Sequence, residues 1–223
     1  MKRVVGFFIG LVFSVSSLAT AAEKDLEIQG RRLISQRPPF TITLPSELRW
    51  IHSSVAEQPE LSSLTRAYFY VKERGKQVEE MFILQIADRT NPMAEPMTLP
   101  PLKGDTEKGL YLRQKVRKEK GEIEFLIQGI AWNPKAPSLQ PIIKKGITIP
   151  SHLVLQGQAL FGYGGEHAVL MKHSRDVSTF GVEVSGKGRD WSKDSLSGNE
   201  KKAYEAYQKI FKKMIDSLTF PKP

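Results

Sequence analysis

The sequence predicts an α+β fold: an antiparallel β-sheet built from hairpins, with a C-terminal amphipathic helix packed on it. Three observations lead there. Apolar and polar residues alternate with a period of two in successive runs, which places one side of each run against a core. Glycine-bearing turns join those runs in pairs. Near the C-terminus the apolar spacing changes to threes and fours, the period of a helix with one buried stripe.

The 223 residues are 40% hydrophobic and 26% charged, enough apolar material for one packed domain and too much for wholesale disorder. There is no cysteine. That excludes disulfide frameworks, zinc fingers, iron–sulfur clusters, lipoprotein acylation and thiol nucleophiles. The formal net charge of +9 favours anionic partners.

Residues 1–21 are expected to be a Sec-type signal peptide. Met1-Lys2-Arg3 is the positive start, Val4 to Leu18 the apolar stretch, and Ala19-Thr20-Ala21 the small-residue exit. The mature chain is then expected to start at Ala22 and to work in the periplasm or outside the cell, away from nucleic acid. Residues 22–39 are expected to be an N-terminal extension and 40–223 a single domain.

Within the domain, Phe40-Thr41-Ile42-Thr43-Leu44 alternates strictly and stops at Pro45, a half-buried strand. Leu48 to His52 leads into a polar link around Glu57 to Glu60. Thr65 to Lys72 and Val78 to Ala87 form a hairpin turning at Arg74-Gly75-Lys76, with Val78, Phe82, Leu84 and Ile86 expected on one face. Asn91 to Lys103 is a proline-rich loop. Leu110 to Val116 pairs with Glu122 to Trp132 across Lys120-Gly121. A second proline-rich loop runs from Asn133 to Gly146. Val154 to Tyr163 and His167 to Ser174 form a third hairpin through Gly164-Gly165, and a last strand is expected over Thr179 to Ser185.

Ser197-Gly198-Asn199-Glu200 fits a capping box, in which the serine accepts from first-turn amides and the glutamate reaches back. Ala203, Tyr207, Ile210, Met214 and Leu218 then form the apolar stripe, widened by Phe211 and Ile215. Ile210 is expected in the core.

Two segments, Phe40-Thr41-Ile42-Thr43-Leu44-Pro45 followed by Leu48-Arg49-Trp50, and the closing Ile210 to Phe220, resemble the PsbP-like superfamily of exported or lumenal α/β/α sandwich proteins. The resemblance implies that fold and an accessory or binding role, and it brings no catalytic motif. The helix usual in that family soon after the first strand is not evident between Ser53 and Ser63.

The basic hairpin arm is the leading surface feature. Tyr111, Arg113, Lys115 and Arg117 share a strand face, with Lys118 and Lys120 at the turn, an arrangement that attracts a protein partner with an acidic surface or an anionic envelope component, including lipid headgroups. Lysines on an edge strand also guard against edge-to-edge pairing. Lys187 and Arg189, in Ser185-Gly186-Lys187-Gly188-Arg189, offer a second basic loop, without the spacing of a phosphate loop. His167, Met171 and His173 share one face of a strand and are ligand types a copper ion accepts. Glu79, Glu80, Glu122 and Glu124 are expected on outward faces. No Gly-x-Ser-x-Gly or His-Glu-x-x-His occurs, so no catalytic residues are assigned and no cofactor is expected. The sequence therefore favours an exported, non-enzymatic binding or accessory protein. The alternatives are an extracytoplasmic hydrolase with a dispersed site and a periplasmic copper-binding protein.

Overall fold

A computed structural model describes residues 25–99, 101–102, 111–150, 153–183 and 196–221. The expected signal peptide and the loop carrying Lys187 and Arg189 lie outside these residues.

The architecture is mixed, with two antiparallel sheets and one long helix. Strands β1 (Leu26–Gln29), β2 (Arg32–Gln36) and β3 (Pro39–Thr43) form a three-stranded sheet. The stretch expected as an N-terminal extension thus supplies two strands, and Leu33 of β2 is fully buried in the main core. Strand β4 (Arg49–Gln58) extends through what the sequence suggests is a polar link. It starts the large sheet, which continues through β5 (Ser63–Arg74), β6 (Gln77–Arg89), β7 (Tyr111–Lys118), β8 (Gly121–Ala131), β9 (Leu153–Tyr163) and β10 (His167–Asp176). Its spatial order is β4-β5-β6-β10-β9-β8-β7, so β4 and β7 are the edges. The three expected hairpins are all present. Gly164 and Gly165, at φ of +62° and +72°, make the β9–β10 turn in a region that residues with a β-carbon avoid.

The inner face of the large sheet is covered by β1–β3 and by the helix α2 (Gly198–Asp216). Phe40, Ile42, Tyr68, Phe82, Phe125, Phe161, Tyr207 and Phe211 belong to this continuous core. The capping box forms as the sequence predicts: Ser197 N–H donates to Glu200 Oε2 at 2.7 Å, and Glu200 N–H donates to Ser197 Oγ at 3.4 Å. The buried stripe is centred on Ala203, Tyr204, Tyr207, Phe211, Met214 and Ile215, and Ile210 lies only half-buried at its margin.

The outer face is also covered over part of its width. The segment expected to be a plain loop holds a 3-10 turn at Pro137–Leu139 and the single-turn helix α1 (Gln140–Ile143). It lays Trp132, Leu139, Ile142, Ile147 and Ile149 over Phe69, Val71, Val78, Met81 and Ile83. Val78 N–H donates to Thr148 O at 3.0 Å, and Thr148 N–H donates to Lys76 O at 2.7 Å, which fastens the layer.

Val78 is a correction to the expected pattern. A register shift between Lys72↔Glu80 and Glu73↔Val78 leaves Glu79 as an extra residue. The bulge sends Val78 to the outer face while Glu80 keeps the inward parity of Phe82. A second correction concerns the last expected strand. Val177–Phe180 is a 3-10 turn capped by the Asp176 side chain, which accepts from Ser178 N–H at 2.9 Å. The remainder of that expected strand, from 184, lies outside the described residues.

Candidate functional site

The basic arm lies on β7, an edge strand of the sheet among the described residues, where cross-strand pairing decides which cations are available. Register sets Lys115 opposite Glu124 and Arg117 opposite Glu122. The ion pairs form on the diagonal: Arg113 Nε sits 2.7 Å from Glu124 Oε1, and Lys115 Nζ 2.6 Å from Glu122 Oε1. Arg113 also donates to the Leu102 carbonyl. Lys118 donates to the Asp216 carbonyl at 2.9 Å, placing a cation at the negative end of α2. Arg117 and Lys120 remain exposed, with no carboxylate partner among the described residues. The arm is therefore a cation–carboxylate ladder, and its unmatched charge is concentrated at the β7–β8 turn.

Strand β10 does not bring its three candidate ligands together. His167 and His173 lie six positions apart, about 20 Å along a strand, so they cannot share an ion. Met171 is fully buried among apolar side chains. Among the described residues no group of three or more ligating side chains converges.

His173 instead belongs to a fully buried polar cluster. Its Nε2 lies 2.8 Å from Glu80 Oε1 and its Nδ1 3.0 Å from the Tyr207 hydroxyl. Tyr207 accepts from Gly157 N–H at 2.8 Å and donates to the His173 carbonyl at 2.6 Å. Because the phenol proton is used on that carbonyl, Nδ1 must donate to the phenol oxygen, and Nε2 faces the Glu80 carboxylate. Glu80 is thus not on an outward face, contrary to expectation; it has the inward parity of Phe82. Burial works to raise its carboxyl pKa, but the hydrogen bond and charge of His173, helped by Ser46 and Arg175, hold it below the usual range. Burial pushes the Tyr207 hydroxyl well up. The cluster holds α2 to β6, β9 and β10, and it is closed to solvent.

His167 joins a second polar junction. Its Nδ1 lies 2.7 Å from Asp88 Oδ1, and Asp88 Oδ2 lies 2.9 Å from Arg66 Nη2. Arg66, itself buried, pairs with Asp25 and donates to the Arg37 carbonyl at 2.8 Å. One guanidinium thereby connects the large sheet to the start of the small one.

The polar half of the outer face is not among the features the sequence predicts. One cross-strand row runs Arg113, Leu126, Gln158, Lys172, Ile83; the next runs Gln128, Gln156, Ser174, Met81. Gln158 Nε2 donates to Gln156 Oε1 at 2.8 Å, and Gln156 Nε2 donates to Ser174 Oγ at 3.1 Å. Lys172 is half-buried, and burial lowers its pKa. The signal was present as parity: Lys172 lies between inward Met171 and His173, and Gln156 and Gln158 flank Gly157.

No family model, no curated protein and no solved structure matches this chain.

Proposed function

We propose that this chain is an exported, non-enzymatic binding or accessory protein that meets an anionic partner with the turn end of its edge strand β7. The observation that carries the reading is the sorting of cations on β7 and its turn. Arg113 and Lys115 are matched by carboxylates, whereas Arg117 and Lys120 stand exposed without one among the described residues. Unmatched cations at a projecting edge attract acidic protein surfaces and anionic headgroups, and the attraction weakens as salt shortens the screening length to about 8 Å at physiological strength.

A PsbP-like relationship fits this role. The two segments that carry the resemblance touch each other: Thr41 N–H donates to Thr219 O and Thr219 N–H to Thr41 O, both at 2.9 Å. Thr43 N–H also donates to Ser217 Oγ at 2.9 Å. The opening and closing segments are therefore hydrogen-bonded to each other, which supports this reading.

The test is salt-dependent binding to vesicles containing anionic lipid and to an acidic polypeptide. Arg117→Ser/Lys120→Ser should weaken binding at low salt, whereas Arg113→Ser/Lys115→Ser, which also frees two carboxylates, should change net charge equally and serve as the comparison. Binding equal to wild type in the Arg117/Lys120 variant would overturn the proposal.

A further inference from the structure

We infer that Lys172, with the amides of Gln156 and Gln158, forms a binding site for a monocarboxylate with an apolar body. Cations drawn into this protein usually meet a carboxylate: Arg66 meets Asp88, Arg89 meets Glu166, and Arg175 approaches Glu80 at 4.0 Å. Lys172 has no such partner among the described residues. Carboxylates of its face are Asp176, four positions along β10 and accepting from Ser178 N–H, and Glu122 and Glu124, two strands away on β8 and held by Lys115 and Arg113. A half-buried ammonium without a counter-charge is costly, and a bound anion removes that cost.

The neighbours specify the ligand. Gln156 and Gln158 each give one amide hydrogen to a neighbour, and among the described residues each keeps a second one to donate. Carboxylate oxygens accept such donors. A single positive charge calls for a single negative one. Arg113, in the same row, is three strand spacings off, about 14 Å, too far to share a small dianion with Lys172. Leu170, two positions along β10 and only partly buried at the margin of the Leu102–Leu126–Leu160 cluster, gives the rest of the ligand an apolar surface.

This deepens the binding-protein reading proposed above without using the β7 cations. The probe is hexanoate, titrated into the full chain at neutral pH, with hexanol and inorganic phosphate as comparisons. Wild type should bind hexanoate about tenfold more tightly than hexanol, and phosphate more weakly than hexanoate. Lys172→Met should abolish the preference for hexanoate over hexanol, and Lys172→Arg should retain it. Hexanoate should also slow acylation of the Lys172 amine in wild type, a readout that needs no variant. No binding of hexanoate, no protection of the amine, or an unchanged preference in Lys172→Met would each overturn the site. Arg117→Ser/Lys120→Ser should keep the hexanoate preference, so failure of the edge reading and failure of this site are separable.

Discussion

The ring of Phe211 occupies the space that a side chain at Gly157 would need: a β-carbon built on Gly157 falls 2.3 Å from Phe211 Cδ2. Strand β9 can therefore lie close under α2 only with glycine at this point, and the same glycine's N–H reaches the Tyr207 hydroxyl. Gly157→Ala should destabilise the protein by about 1–3 kcal/mol through overpacking, measured by denaturant unfolding. Adding Phe211→Leu should recover part of that loss. An alanine variant as stable as wild type would show that α2 is free to shift.

The margin of the helix stripe separates two neighbouring residues. Phe211 is fully buried and Ile210 is not. Phe211→Ala should cost roughly 3–5 kcal/mol, and Ile210→Ala on the order of 1 kcal/mol. Equal costs by thermal or denaturant unfolding would place Ile210 in the core after all.

Tyr207 ties the helix to two strands through one oxygen. Tyr207→Phe keeps the ring but leaves Gly157 N–H, His173 O and His173 Nδ1 without their partner. The expected loss is about 1–3 kcal/mol, with the fold retained by circular dichroism.

Glu80 links stability to pH. Its folded pKa lies below the ordinary value of 4.5. The stabilisation from its ionised form is therefore fully present above that ordinary value and is lost as pH falls through the lower folded value. Urea midpoints measured downward from neutral pH should fall across the acid window, and Glu80→Gln should flatten that fall. Glu80→Ala should cost roughly 3 kcal/mol at neutral pH, because it leaves His173 buried without its partner.

Arg66 should behave as a buried charge whose removal strands others. Arg66→Ala leaves Asp88 without its guanidinium and is expected to cost roughly 3–5 kcal/mol. Arg113→Ser and Lys115→Ser, by contrast, break exposed edge pairs and should each cost less than about 1 kcal/mol. Comparable losses in both sets would contradict the assignment of Arg66 as the junction between the sheets.

Local signals were legible in the sequence. Alternation marked the strands of the three hairpins, Gly75 and Gly164-Gly165 marked turns, and Ser197 with Glu200 marked the start of α2, because each depends on residues within a few positions of one another. The same locality explains the misses. Alternation divides a strand into two faces but does not say what covers each face. The glutamines on the strand beside Lys172, the layer laid down by 132–150 and the incorporation of Leu33 into the core were therefore not visible.

What the sequence determined by itself was the antiparallel α+β character, the hairpin pairs and the capped C-terminal helix. Only the tertiary structure decided that Val78 and Glu80 face opposite ways across a bulge, that Glu122 and Glu124 neutralise two of the β7 cations, and that His173 is joined to Glu80 and Tyr207 rather than to His167. These outcomes depend on strand register and layer contacts between residues far apart in the chain. A one-residue change in register reverses the face of every side chain that follows, so no local pattern can fix them.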